Sequence, residues 1–156
     1  MKTIRTQSFQ ETQELGKELA KKIISSQVIC LSGELGTGKT TFAQGMLKGL
    51  GIKGPYTSPT FVIMKHYHVT CNMKHETKKT KMLHVTCFMP HDVYHIDAYR
   101  INEKDILNLG WEEIIAQPDN LIVVEWAERI KKIVPKNARW IKFFWEGKDK
   151  RKIVFK

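Results

Sequence analysis

Val28-Ile29-Cys30-Leu31-Ser32-Gly33-Glu34-Leu35-Gly36-Thr37-Gly38-Lys39-Thr40-Thr41 is the stretch that decides how this chain is read. Its start, Val28–Leu31, is a short continuous apolar run, the pattern of a strand buried on both faces of a parallel sheet. Gly33 to Thr40 then matches G-x-x-x-x-G-K-[S/T] at every fixed position. Glycines let the backbone curl so that several N–H groups point at one cluster of phosphate oxygens. A helix expected from about Lys39 to Leu50, stopped by Gly51, aims its positive end at the same place. Lys39 is then placed to reach β- and γ-phosphates, and the Thr40 hydroxyl to ligate Mg²⁺. Residues Gly33, Glu34, Leu35, Gly36, Thr37, Gly38, Lys39, Thr40 and Thr41 are therefore the expected nucleotide cradle.

Such a cradle needs a carboxylate for the metal, normally at the end of an apolar strand. Two runs have that form, Val93-Tyr94-His95-Ile96-Asp97 and Leu121-Ile122-Val123-Val124-Glu125. Ligands gather at the carboxyl ends of strands in open α/β sheets, so both acids can face the nucleotide. Glu125 is assigned as the metal residue, and Asp97 as water-orienting base or outer metal contact. The two roles are exchangeable on sequence grounds. Trp126 is a packing residue or a site wall. Arg100 and Arg129 either meet phosphate or pair with carboxylates such as Glu128.

The remaining elements extend outward from this centre. Ser8-Phe9-Gln10-Glu11 reads as a capping box opening a helix to about Ile24, with Leu15, Leu19, Ile23 and Ile24 on one face. Thr57–Thr60 is a loop around Pro59, and Phe61–Met64 a strand start. Asn102–Leu109 and Trp111–Ala116 are helices interrupted at Gly110. Arg139–Trp145 and Arg151–Phe155 form a closing antiparallel hairpin. The fold class expected is α/β, a three-layer fold like that of P-loop nucleotide hydrolases, with a mixed sheet and a C-terminal β-hairpin. One domain, residues 1–156, is expected.

Residues 66–91 break the rhythm. His68-Val69-Thr70-Cys71-Asn72-Met73 nearly repeats as His84-Val85-Thr86-Cys87-Phe88-Met89. A β-hairpin insertion born of a small duplication accounts for it; two short copies cannot stack into a solenoid. His68, Cys71, His84 and Cys87 include enough soft ligands for tetrahedral zinc. In extended backbone, however, positions three apart point to opposite faces, which favours a plain hairpin.

The chain has 156 residues, 42% of them hydrophobic, enough for a packed core. No apolar run approaches a membrane span and no signal-peptide pattern is present, so a cytoplasmic protein without membrane contact is expected. Three cysteines are too few for a disulfide framework. The net charge is +10, and from Arg129 to Lys156 eleven Lys or Arg face only Glu146 and Asp149. That block suits a nucleic acid, an acidic protein surface or plain solvation. On a strand, Trp140, Lys142 and Phe144 share one face, and Arg139, Ile141, Phe143 and Trp145 the other. Lys148, Lys150, Arg151 and Lys152 are placed outside the nucleotide site.

The glycine stretch, then Thr57-Ser58-Pro59-Thr60-Phe61, Asp97-Ala98-Tyr99-Arg100 and Val124-Glu125-Trp126, follow one another in an order that resembles the TsaE (YjeE) family. The likeness covers about residues 5–64 and 92–155. Family members usually carry Asp at position 34, Ala at 37 and Leu at 98, and none of these differences removes a phosphate or metal group. Their link across 66–91 is typically shorter. The resemblance implies the ATPase of bacterial tRNA threonylcarbamoyladenosine synthesis, slow alone and stimulated by partners. It implies the TsaD and TsaB proteins as partners, with tRNA met through their complex, and ATP as the nucleotide. It also places Ser58 and Thr60 in a switch-like loop that senses the γ-phosphate.

Two rival classes stay open on the sequence. A small-molecule kinase would want an arginine-rich lid, which is not identifiable. A nucleotide-gated RNA- or protein-binding module would be led by the basic tail. A GTPase would carry Asn-Lys-x-Asp, which does not occur.

Overall fold

The computed structural model describes residues 1–23, 27–59, 61–69 and 92–156. Ile24, Thr60, Cys71, His84 and Cys87 lie outside the described residues, as does most of the repeat. Expectations resting on them stop there.

Strand β1 is Lys2–Thr6, helix α1 Phe9–Ala20, strand β2 Gln27–Ser32 and helix α2 Lys39–Gly49. Strands β3 (Met64–His68) and β4 (Asp92–Asp97) follow, then the short helices α3 (Glu103–Asn108) and α4 (Trp111–Ala116). Strand β5 is Asn120–Glu125, a 3₁₀ turn spans Ala127–Ile130, and β6 (Arg139–Trp145) and β7 (Arg151–Phe155) close the chain. Among the described residues the strands form one sheet in the order β1-β7-β6-β2-β5-β4-β3. Neighbours β6, β2, β5 and β4 run parallel, while β1 with β7, β7 with β6, and β3 with β4 are antiparallel. The mixed α/β architecture and the closing hairpin agree with the sequence.

Strand β2 shows why the fold has three layers. Its alternate residues Ile29 and Leu31 pack with Phe42, Met46, Leu47 and Phe143 on the side of α1 and α2. Val28 and Cys30 join Ile96, Ile106, Trp111 and Val124 on the other side. A central parallel strand must be apolar on both faces, and this one is. Each large core side chain such as Phe42, fully buried, contributes about 1.5–3 kcal/mol. Helices α1 and α2 approach closely because Gly45 has no side chain: a Cβ there would lie 2.0 Å from the Gln13 carbonyl oxygen.

Three local expectations are corrected. Helix α1 ends at Ala20, short of the expected Ile24. Lys22 N–H and Ile23 N–H donate to Leu19 and Ala20 carbonyls, tightening the chain out of the α-helix, and Ile23 still reaches the core. Its N-terminus is capped by Ser8 Oγ, which accepts from Glu11 N–H at 3.1 Å. Glu11 reaches back to Gln7 N–H at 2.7 Å instead of the Ser8 amide, so the box is displaced by one residue.

The strand expected from Phe61 begins at Met64. Val62 N–H and Ile63 N–H both donate to the Pro59 carbonyl, at 2.9 and 2.7 Å, and Ile63 takes φ 65°. That turn leaves Phe61 and Val62 exposed. Strand β1 was not legible in advance, because Lys2–Thr6 has the burial pattern of a sheet edge and little apolar alternation.

Candidate nucleotide site

The loop between β2 and α2 is built around glycines at 33, 36 and 38, with φ of 136°, 75° and 96°. Gly33 is required twice over, since its conformation disfavours a side chain and a Cβ would sit 2.4 Å from the Phe143 carbonyl oxygen. The Thr37 hydroxyl donates to the Glu34 carbonyl at 2.7 Å, closing the loop from within. Glu128, on the 3₁₀ turn, accepts from Gly33 N–H at 3.2 Å.

Lys39 opens α2 and is almost completely buried. Its Nζ donates to the Gly33 and Glu34 carbonyls at 2.8 and 2.9 Å. The same ammonium stands 3.7 Å above the Trp126 ring. Burial draws its pKa below the ordinary lysine value, against the opposing pull of Glu125, Glu128 and Asp97. Trp126 holds the left-handed conformation, φ 58°, a strained choice for a bulky residue. In that position its ring also packs on Tyr99, centroids 4.8 Å apart.

The two strand-end acids come together. Asp97 and Glu125 are register partners across β4 and β5, at the carboxyl edge beside the glycine loop. Thr40 Oγ1 donates to Glu125 Oε2 at 2.6 Å. Asp97 Oδ1 accepts from Tyr99 N–H at 2.9 Å. Both acids are buried, and both line a cleft of about 390 Å³ with Gly36, Gly38, Lys39, Thr40 and Thr41. Leu35 stands at its rim, 79% exposed.

Some expected members lie elsewhere. Gly33, Glu34 and Thr37 face a second groove behind the loop. Ser58 is half-buried and does not line the cleft. Arg100 lines it and lies over the Phe61 ring at 5.2 Å, whereas Arg129 does not. Placing Arg151 outside the site was wrong: it lines the cleft together with Asp149. The hairpin brings β7 across to the loop, and Arg151 Nη1 is anchored on the Gly147 carbonyl at 3.1 Å.

Sequence reasoning also missed His95. Its Nε2 lies 2.8 Å from Glu125 Oε1, with both side chains buried. A carboxylate only accepts, so with Glu125 ionised the Nε2 carries the proton. The available signal was a histidine two positions before Asp97, on the same face of the strand.

The donor set suits Mg²⁺ with a triphosphate. Among the described residues no three His, Cys, Asp or Glu cluster into a metal cage. Mg²⁺ asks for less, one or two carboxylates with phosphate oxygens and waters completing the shell. A hydroxyl already touching a buried carboxylate, beside a second carboxylate and a glycine loop, supplies that.

Comparison with known proteins shows the family. The family model described as threonylcarbamoyl adenosine biosynthesis protein TsaE matches residues 6–153. The chain is 35% identical over 133 residues to the tRNA threonylcarbamoyladenosine biosynthesis protein TsaE of Aquifex aeolicus, covering 84% of this chain and 80% of that one. It is 33% identical over 151 residues to the protein of the same name from Bacillus subtilis, covering 97% and 82%. The crystal structure of Bacillus subtilis YdiB superimposes with a TM-score of 0.73 at 29% identity, covering 99% of this chain and 83% of that one. With its fold, glycine loop and strand-end acids all in place, the chain belongs to the TsaE family.

Proposed function

We propose that this chain is a Mg²⁺-dependent ATPase serving the threonylcarbamoyl modification of tRNA adenosine beside the anticodon, together with TsaD and TsaB proteins. The observation that carries the reading is the Thr40–Glu125 hydrogen bond at 2.6 Å, set beneath the glycine loop and Lys39. This constellation binds phosphates and a divalent cation. The relatives' names supply the tRNA modification.

In this reading Gly36, Gly38 and the N-terminal amides of α2 hold the phosphates, and Lys39 leaves the loop carbonyls for the β- and γ-phosphates. Thr40 and Glu125 hold Mg²⁺, which when bound neutralises charge on those phosphates. Asp97 orients the attacking water or supports the metal from outside. Glu34, Leu35, Thr37 and Thr41 shape the loop, and Ser58 and Thr60 belong to the loop that reports the γ-phosphate. Arg100 and Arg151, both lining the cleft, add positive charge at its mouth.

The whole chain is proposed as one domain carrying a hairpin insertion at about 66–91. Strand β3 runs into that segment as far as His68 and pairs antiparallel with β4, which follows the segment. A cytoplasmic site of action is proposed with it. Among the described residues no helix is long and apolar enough to cross a membrane.

The test is phosphate release from ATP with Mg²⁺, with no other acceptor, in the presence and absence of TsaD, TsaB and tRNA. Slow release alone and faster release with the partners is the expected result. Release only on adding a metabolite acceptor would identify a kinase instead. No release under any condition would leave a nucleotide-binding module without catalysis.

A further inference from the structure

The sheet face opposite α1 and α2 carries side chains that the nucleotide cleft does not use. On β6, Trp140, Lys142 and Phe144 share this face, and Lys152 of β7 stands in register with Phe144. Phe144 is 37% exposed, and Trp145 at the strand end is 63% exposed. The Phe144 ring is flanked by two ammonium groups, Lys142 Nζ at 5.1 Å and Lys152 Nζ at 5.5 Å from its centroid. Phe144, Trp145, Trp140, Lys142 and Lys156 line a groove of about 790 Å³. That volume is within the range of ligand clefts. The groove runs inward to Gly33 and Glu34 at the back of the glycine loop.

We propose that this groove binds an unpaired segment of RNA, with bases stacked on Phe144 and Trp145 and phosphates beside Lys142, Lys152 and Lys156. Lysines alone would suit any polyanion. Exposed aromatic side chains among them, Phe144 and Trp145, suit nucleobases, because each base offers a flat surface for stacking once the lysines over Phe144 turn to phosphates. A paired helix hides those surfaces, so the segment must be unpaired. The groove is also lined by Glu34 and Glu128 beside Lys131, and carboxylates there can accept hydrogen bonds from base amino groups. This deepens the proposed function by giving the chain its own RNA contact, and it rests on that reading only for tRNA as the source. The groove residues that stack and neutralise do not line the ATP cleft, so either assignment can fail without the other.

The experiment is fluorescence anisotropy with the full chain and a fluorescein-labelled anticodon stem–loop RNA. A fully paired RNA of equal length and a polyglutamate peptide serve as competitors, and circular dichroism melts check folding. The stem–loop should bind more tightly than the duplex. Phe144→Ala and Trp145→Ala should each weaken it by about ten-fold or more, while Trp145→Tyr, which keeps a stacking ring, largely restores it. Lys142→Gln should lower the log–log salt slope by about one unit. Equal affinity for stem–loop and duplex, unchanged in the folded aromatic variants, would overturn the proposal in favour of a solvated basic face. Displacement by polyglutamate, with aromatic variants binding RNA as wild type does, would overturn it in favour of an acidic protein partner.

Discussion

His95 Nε2 lies 2.8 Å from Glu125 Oε1, at a place where neither side chain meets solvent. The opposite oxygen of the same carboxylate receives the Thr40 hydroxyl at 2.6 Å. Glu125 is thus fixed by one hydrogen bond from the adjacent strand and one from the helix that opens the nucleotide site. In the proposed function Glu125 holds the metal, and loss of a partner that orients such a carboxylate typically lowers activity about 10–100-fold. His95→Leu is expected to cut kcat by that amount with a smaller change in KM, while His95→Gln, which keeps a donor, recovers part of it. Steady-state ATP hydrolysis with a Mg²⁺ titration checks this. Equal kcat in all three proteins would leave His95 as packing alone.

Glu125→Gln and Asp97→Asn separate binding from turnover. Each should retain ATP affinity and slow hydrolysis by about 10²-fold or more, as a lost metal or water contact does. Titration calorimetry and phosphate release on the same preparations give the two quantities. If one variant hydrolyses ATP at the wild-type rate, that acid only ends its strand.

Two glycines of the loop should respond differently to alanine. At Gly33 a methyl meets the Phe143 carbonyl oxygen at 2.4 Å in a backbone with φ 136°, so Gly33→Ala should cost about 3 kcal/mol or more. At Gly36 nothing lies within 4 Å and φ is 75°, so only the left-handed strain remains, about 1–2 kcal/mol. Urea denaturation of the two variants measures the difference. Equal costs would show that the Phe143 contact relaxes freely.

The glycine loop, the parallel strands and the closing hairpin were legible because their signals are local. Glycine spacing, apolar runs and β-rich alternation each sit within a dozen residues. What escaped the sequence depends on pairings far apart in the chain. Arg151 lines the cleft only because β7 returns beside β6. His95 matters only because β4 lies in register with β5. Strand β1 exists because β7 offers it an edge. The early end of α1 and the late start of β3 follow from individual turn hydrogen bonds, which composition does not specify.

Cys30 tests the packing of the central strand. Burial, with a lesser contribution from Glu128, pushes its thiol up to about 12 from 9.0. The folded state therefore keeps a proton that the unfolded state releases. This stabilisation is complete below pH 9.0 and is lost as pH rises toward about 12. In that window stability should fall by up to about 1.4 kcal/mol per pH unit from this group. Mass spectrometry after iodoacetamide treatment at pH 8 should find Cys30 unlabelled in the folded protein and labelled in urea. Rapid labelling without denaturant would mean that β2 opens readily.

Lys39 stands at the centre of the account, since its Nζ bridges the Gly33 and Glu34 carbonyls over the Trp126 ring. The decisive measurement is the calorimetric affinity for ATP with Mg²⁺ of the wild type and of Lys39→Ala, with folding verified by circular dichroism. The account predicts clear binding by the wild type and loss of about two orders of magnitude or more in the variant, because a charge-assisted phosphate contact disappears. Unchanged ATP affinity in folded Lys39→Ala would contradict it.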